Sequence, residues 1–246
     1  MINTYDETFT LRPRDCDLSE QWRPSAILET MQDTAGAHSI LLGCGRDELV
    51  RKNIVWVISR CELHMDRYPA VGEQITVHTF PTPTRVFFFP RYYVFTDARG
   101  EMIGKAGSLW LLLDLTTRRM LPPGDVARLI PENKDLSIPM NLPATVGKLQ
   151  GEEFVSVHNP VYTDLDVNGH VNNTRYADWL CNALGVETMK EYEPDHIILN
   201  YNHEVLPEHT VTLHRILKGN EYRLSGIVNG ASAFDIGGTL RKRIKS

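Results

Sequence analysis

Long apolar runs are missing from this 246-residue chain, which has no stretch approaching the roughly 18–20 residues that a membrane-spanning helix requires. The first residues, MINTYDETFTLRPRDCD, lack a basic segment followed by an apolar one, and they are too acidic for a transit peptide. The net charge of −5 provides no basic excess for a general nucleic-acid binder. We therefore expect a cytoplasmic protein that has neither a membrane nor a nucleic acid as its partner.

Cysteine is scarce as well. The four cysteines, Cys16, Cys44, Cys61 and Cys181, form no C-x-x-C pair and show no metal-ligand spacing with histidine, so we expect reduced, unpaired thiols. A glycine-rich phosphate loop is also missing, and we predict no metal, nucleotide or flavin cofactor. The apolar fraction of 42% and the charged fraction of 23% are those of an ordinary globular protein.

An internal repeat is present. RDCDLSEQWRPSAILETMQDTAG near the N-terminus matches TDLDVNGHVNNTRYADWLCNALG in the second half, and both read as an Asp-x-Asp turn followed by an amphipathic helix. Three residue pairs share one constant offset: Asp15 with Asp164, Asp17 with Asp166, and Gly36 with Gly185. We infer two diverged copies of one unit.

Each predicted helix is followed by alternating, strand-like segments that are separated by turns such as DARGE. One helix followed by several antiparallel strands predicts the α+β class, with the helix lying across one face of the sheet. The proline-rich stretch between the copies predicts a linker. The expected organisation is an N-terminal repeat over 1–121, a linker over 122–153 and a C-terminal repeat over 154–246.

The two copies differ at the positions best suited to chemistry. The second copy has Asn168 and His170 where the first has Ser19 and Gln21, whereas both copies keep their aspartates. A turn that serves only folding should survive in both copies, so Asn168 and His170 are the candidates for function. The aspartates also suit a structural role, because side-chain acceptors satisfy the orphan N–H groups of a helix entry.

The phrases DLDVNGHVNNTRY, LNYNHEVL, IVWVISRCELHMDRYP and GKAGSLWLLLDLTTRR resemble the acyl-acyl-carrier-protein thioesterases of plant plastids and bacteria. The resemblance implies a tandem hotdog fold, an acyl carrier protein as partner, and release of free fatty acid. It also implies catalytic roles for Asp166, Asn168, His170 and Glu204. Plant members usually have cysteine directly after this glutamate; here the residue is Val205, so a thiol nucleophile is excluded at this position and a water-based mechanism remains.

We expect Glu204 to act as the base, His170 to orient it, and Asp166 with Asn168 to hold the pair and the carbonyl. If GHVNN opens a helix, its free N–H groups and positive dipole end could polarise the carbonyl oxygen. Gly169 would permit close backbone approach there, with Val171 beside it.

The resemblance places much of the acyl pocket in the first half, where Ile27 and Met31 on the helix face are candidate substrate contacts, although plain core is the simpler interpretation of each. Two other functions stay open, a coenzyme-A thioesterase of hotdog type and a non-catalytic acyl-binding protein, because the fold does not fix the substrate. A monomer and a homodimer are both compatible with a fused pair of units.

Overall fold

The computed structural model describes residues 3–147 and 151–243, which form one antiparallel sheet with helices on one face. The helices are α1 (Pro24–Leu41), α2 (Arg46–Val50), α3 (Arg175–Leu184) and α4 (Val186–Glu191). The strands of the first half are β1 (Tyr5–Thr10), β2 (Ile54–Met65), β3 (Gln74–Pro81), β4 (Phe89–Asp97), β5 (Met102–Asp114) and β6 (Met120–Leu121). Those of the second half are β7 (Glu153–His158), β8 (Tyr192–Tyr201), β9 (Val211–Lys218), β10 (Glu221–Val228) and β11 (Ala231–Lys242). No helix among these residues is long and apolar enough to cross a membrane.

The strand order shows the duplication directly. The eleven-stranded sheet runs β1-β3-β4-β5-β2-β8-β11-β10-β9-β7, with β6 added to β5. Reading outward from the central β2–β8 pair gives the same connectivity in both directions, so each half supplies one equivalent set of strands. The predicted α+β tandem hotdog fold is confirmed.

Helix α1 begins at Pro24, as the sequence predicts, because proline lacks the N–H that would be unsatisfied in the first turn. Its buried face includes Ile27, Met31 and Ala35, which recur at helical spacing and pack into the main core. Burying such a face removes apolar surface from water and contributes about 1.5–3 kcal/mol for each large side chain.

The second half repeats this arrangement with a shorter helix. Short 3₁₀ turns at Pro13–Asp15 and Tyr162–Asp164 precede the two helices, and each is followed by an isolated bridge, Cys16 with Trp22 and Leu165 with Val171. Gly36 continues α1, whereas its counterpart Gly185 has φ 91° and ends α3. Glycine adopts this angle without the steric cost of a Cβ atom, which divides the second helix into α3 and α4.

The predicted linker is attached to the sheet. Glu62 lies between the core residues Cys61 and Leu63, and its side chain therefore faces away from the helices. The N–H of Ala144 donates to Glu62 Oε2 at 2.7 Å, and the N–H of Val146 donates to Asn200 Oδ1 at 2.5 Å. This end of the linker thus crosses the outer face of β2 and β8. The boundaries 1–121, 122–153 and 154–246 remain a prediction, and residues 148–150 lie outside the described part.

Candidate active site

The loop between the 3₁₀ turn and α3 is organised around the carboxylate of Asp166. Its Oδ1 accepts the N–H of Asn168 at 2.8 Å and that of His170 at 3.4 Å. The N–H of Asp166 donates to the His170 carbonyl at 2.8 Å, and Gly169 completes the tight turn with φ 78°. Asp166 therefore fixes the backbone that carries both Asn168 and His170.

Asp164 joins the same loop to the segments on either side of it. Its buried carboxylate accepts from His158 Nε2 at 2.9 Å and from the N–H of Val161 at 3.0 Å, and its carbonyl accepts the N–H of Asn172 at 2.7 Å. These contacts satisfy groups that would otherwise be buried without partners, which supports the structural role inferred for this aspartate.

His170 and Glu204 meet across two loops. His170 Nε2 lies 3.4 Å from Glu204 Oε2, with the histidine side chain 25% exposed and the glutamate side chain 40% exposed. The other carboxylate oxygen, Oε1, accepts a hydrogen bond from Nη2 of Arg118. The glutamate is thus held between an imidazole and a guanidinium while it stays open to solvent, an arrangement that can take a proton from water.

Arg118 reaches Glu204 from the turn after β5, where it has the left-handed φ of 58°. Such an angle costs a residue with a Cβ atom roughly 1–2 kcal/mol. Asp114 offsets this cost, because its Oδ1 accepts from the N–H groups of Thr116 at 3.0 Å and Thr117 at 2.7 Å. The turn is therefore held in a conformation that directs the guanidinium toward the second half.

Asn168 contacts a different set of side chains, those of Asp166 and Arg46. Its Nδ2 donates to Asp166 Oδ2 at 3.2 Å, and its Oδ1 lies 3.5 Å from Nη2 of Arg46 at the start of α2. Burial raises the pKa of Tyr176, and the charges of Glu204 and Asp166 raise it further. The carboxylates of Glu204 and Asp166 therefore both lie close enough to the Tyr176 hydroxyl to affect its pKa.

The segment GHVNN does not form the first turn of helix α3. Helix α3 begins only at Arg175, and the N–H groups of Asn168 and His170 are occupied by Asp166. The N–H of Val171 donates to the Val205 carbonyl at 2.9 Å. These local bonds replace the free donors that a helix beginning at GHVNN would present. The side chain of Asn168 is exposed, and its amide nitrogen donates to Asp166.

A cavity of about 190 Å³ lies in the first half, between α1 and the sheet. Aromatic side chains form much of its wall, and it is lined by Gln32, Ala35, Gly36, Ser39, Arg46, Trp56, Pro81, Phe89, Pro90, Arg91, Trp110 and Ile130. Arg46 lines the cavity and also contacts Asn168, and Gln32 donates to Oδ1 of Asn173. The cavity therefore opens beside the polar loop of the second half.

The other candidate substrate contacts lie elsewhere. Ile27 and Met31 are almost fully buried in the main core, and the neighbouring face of α1, with Ala35 and Gly36, lines the cavity instead. Val171 is also a core residue. Helical spacing identified the apolar side of α1 but not which part of it contacts the sheet and which part contacts the cavity.

Besides Arg46, a second cationic side chain, Arg91, lines the apolar cavity. Arg91 is 6% exposed, and its Nη1 lies 3.0 Å from His38 Nδ1 and 3.3 Å from Thr79 Oγ1. Burial lowers the pKa of this guanidinium, and its two hydrogen-bond partners, an imidazole and a hydroxyl, are not carboxylates. A cation that is buried without an anion carries a desolvation cost.

The buried thiols are unsuited to nucleophilic chemistry. Burial raises the pKa of Cys44 to about 11 and that of Cys61 and Cys181 to about 12. Because the thiolate is the nucleophile, these groups are inert at neutral pH.

Arg118 and Arg46 were not predicted as site residues. Both arginines are separated from their partners by long stretches of chain, 86 positions for Arg118 and Glu204 and 122 for Arg46 and Asn168. The DLTTRR turn was visible in the sequence, but nothing in it indicated which carboxylate the arginine would meet.

Two family profiles match this chain. The acyl-ACP thioesterase N-terminal domain matches residues 2–126, and the acyl-ACP thioesterase C-terminal domain matches residues 147–229. An oleoyl-acyl carrier protein thioesterase of Coriandrum sativum is 27% identical over 218 residues, covering 82% of this chain and 59% of the relative. An acyl-[acyl-carrier-protein] hydrolase of Cuphea viscosissima is 25% identical over 213 residues, covering 82% and 52%. The chain thus spans between half and three fifths of the length of these curated relatives.

Solved structures share the fold over nearly the full chain. An acyl-ACP thioesterase from Bacteroides thetaiotaomicron superposes with a TM-score of 0.87 at 23% identity, covering 97% of this chain and 98% of that one. The 12:0-ACP thioesterase from Umbellularia californica gives 0.86 at 20% identity, covering 98% of both.

Proposed function

Because this chain belongs to the acyl-ACP thioesterase family, we propose that it hydrolyses the thioester of a fatty acyl chain on acyl carrier protein, releasing free fatty acid and the carrier's thiol. The observation that carries the proposal is the pairing of His170 with Glu204 at 3.4 Å, in the half that also holds Asn168, beside an apolar cavity in the other half. A thioesterase needs a proton acceptor and a place for the acyl chain, and the two halves supply one each.

In the proposed mechanism, Glu204 takes a proton from a water molecule that attacks the carbonyl carbon. His170 orients the carboxylate through Oε2, and Arg118 holds it through Oε1. Holding the carboxylate in place positions the base against the attacking oxygen, and general-base assistance of this kind contributes roughly 10²–10⁴-fold in rate.

Asn168 is the proposed donor to the oxygen that becomes negative in the tetrahedral intermediate. Asp166 fixes one N–H of the Asn168 amide and so aligns the other, while the loop N–H groups are already occupied. A preorganised donor of this type typically contributes about 2.7–4 kcal/mol. Collapse of the intermediate breaks the carbon–sulfur bond, and the proton held by Glu204 passes to the leaving thiolate.

The cavity is the proposed site of the acyl chain. Its walls include Trp56, Phe89 and Trp110, which offer apolar surface to methylene groups at about 0.8 kcal/mol each when buried. Arg91 borders the same space, and a guanidinium is a poor neighbour for a terminal methyl group. We propose that it limits how far an unsubstituted chain can extend.

Hydrolysis of a substrate panel tests this function. Purified protein is incubated with matched acyl-carrier-protein and acyl-coenzyme-A thioesters of graded chain length, and mass spectrometry follows the free acid. Release from the carrier-protein set supports the proposal. Release from coenzyme A alone would identify a coenzyme-A thioesterase, and tight binding without release would identify an acyl-binding protein; either result contradicts the proposal.

A further inference from the structure

A group of metal-ligand side chains lies outside the proposed active site, on the outer face of the sheet where the two halves join. It consists of Glu62 and His64 of β2 and His196 of β8, whose ligand atoms all lie within 4.8 Å of one another. His64 and His196 are direct partners in the β2–β8 register, and Glu62 lies two residues from His64 on the same face. The proposed hydrolysis uses none of them.

The three side chains converge on one point. Nε2 of His64 and Nε2 of His196 each lie 3.0 Å from the same oxygen, Glu62 Oε1. The two rings stack with centroids 4.0 Å apart and an interplanar angle of 12°. We propose that this group binds a divalent transition-metal ion of the zinc class and that the ion joins the two halves of the sheet.

Binding requires a small change in the ligand separations and a rotation of the two imidazole rings out of their stack, because a metal ion lies in the plane of each ring that ligates it and parallel rings 4.0 Å apart share no such position. Ligands about 2.0–2.2 Å from a tetrahedral metal ion are separated from one another by about 3.4 Å. The two nitrogen-to-oxygen separations of 3.0 Å would therefore widen by a few tenths of an ångström. Imidazole nitrogen with one carboxylate suits zinc, copper and nickel, whereas magnesium and calcium prefer oxygen ligands throughout.

A backbone N–H group orients the Glu62 carboxylate, and the two histidine side chains are accessible to solvent. The second oxygen, Glu62 Oε2, accepts the N–H of Ala144 at 2.7 Å, which orients the carboxylate as second-shell bonds do in metal sites. The side chains of His64 and His196 are 34% and 25% exposed, so water can reach the site and supply a further ligand. Lys105 of β5 is the register partner of His64 and adds a positive charge to this face. Its flexible side chain allows the ammonium group to turn away from the three ligands.

The environment of the Glu62 carboxyl group favours its charged form. Burial alone would raise its pKa, but hydrogen bonds from His196, His64 and the Ala144 N–H outweigh burial and hold the pKa well below its ordinary value. Ligation would replace the two histidine hydrogen bonds, because each imidazole must present an unprotonated Nε2 atom to the ion.

The test is a metal titration of chelator-treated protein. Calorimetry with zinc chloride should show one equivalent bound, and the melting temperature should rise by about 5–10 °C at a hundredfold excess over the dissociation constant. His64→Asn and His196→Asn should each lower the affinity at least tenfold, with circular dichroism confirming that they fold. Cobalt(II) provides a second readout, because ligation by these imidazoles gives visible absorption that the variants should lose.

Two control variants separate this site from other histidines. His78 pairs with Asp6 on another part of the sheet, and His78→Asn should bind zinc as the wild type does. His170 and Glu204 are a second imidazole–carboxylate pair, and His170→Asn should likewise keep the bound equivalent. Absence of stoichiometric binding in the wild type would overturn the proposal, as would binding that His64→Asn and His196→Asn leave unchanged.

Discussion

Replacing Glu204 with glutamine should separate catalysis from stability. The substitution keeps the size of the side chain and one oxygen acceptor, but it replaces the carboxylate that accepts the proton with an amide that cannot. If Glu204 is the general base, kcat/KM should fall by roughly 10²–10⁴-fold. At 1.36 kcal/mol for each factor of ten, this corresponds to about 2.7–5.4 kcal/mol of lost transition-state stabilisation.

The effect on folding should be much smaller. The Glu204 side chain is 40% exposed and its partners His170 and Arg118 are 25% and 41% exposed, so water screens both ion pairs. Exposed pairs contribute about 0–1 kcal/mol to stability. Loss of both contacts therefore costs at most about 2 kcal/mol, and for a chain of this size the melting temperature should change by no more than about 8 °C.

The assay measures hydrolysis of the best acyl-carrier-protein substrate alongside thermal unfolding. Glu208→Gln is the matched control, because Glu208 is an exposed glutamate on the same loop. It should leave both quantities unchanged. A Glu204→Gln variant that keeps its fold and stays within threefold of wild-type kcat/KM would refute Glu204 as the base.

Four further perturbations test separate parts of the structure. Arg118→Met should lower kcat/KM about tenfold by releasing Glu204, whereas Arg119→Met, one residue further along the same turn, should have no effect in the same assay. Gly36→Leu should shift hydrolysis toward shorter chains in the substrate panel, because Gly36 lines the cavity and a Cβ there meets no atom within 4 Å; removing a helical glycine should also raise the melting temperature. Iodoacetamide at neutral pH should leave activity intact, since the pKa of the thiols of Cys44, Cys61 and Cys181 is raised to about 11 or 12 and burial also raises the pKa of Cys16; rapid inactivation would contradict this. The depressed pKa of Glu62 stabilises the fold above the ordinary glutamate value of 4.5, and this stability is lost as the pH falls below it; acid unfolding of Glu62→Gln should therefore depend less steeply on pH than that of the wild type.

Features that depend on neighbouring residues were predicted from the sequence, and features that depend on distant contacts were not. The start of α1 at Pro24 and the equivalence of the two Asp-x-Asp turns depend on neighbouring residues, so local patterns were sufficient. Helix α3 begins later than GHVNN because the carboxylate of Asp166 accepts the N–H groups of Asn168 and His170, and side-chain bonds of this kind compete with helix formation. Ile27 and Met31 were identified as apolar, yet the direction of the cavity depends on how α1 lies on the sheet.

The sequence by itself determined the order of elements, the duplication and the polar loop present in one half only, because hydrophobic period, turn residues and repeat offsets are properties of neighbours along the chain. Tertiary structure alone decided that Arg118 meets Glu204, that His64 meets His196, and that a cavity opens beside Arg46. These contacts arise from strand register and from the packing of α1 on the sheet, which bring together residues far apart in sequence.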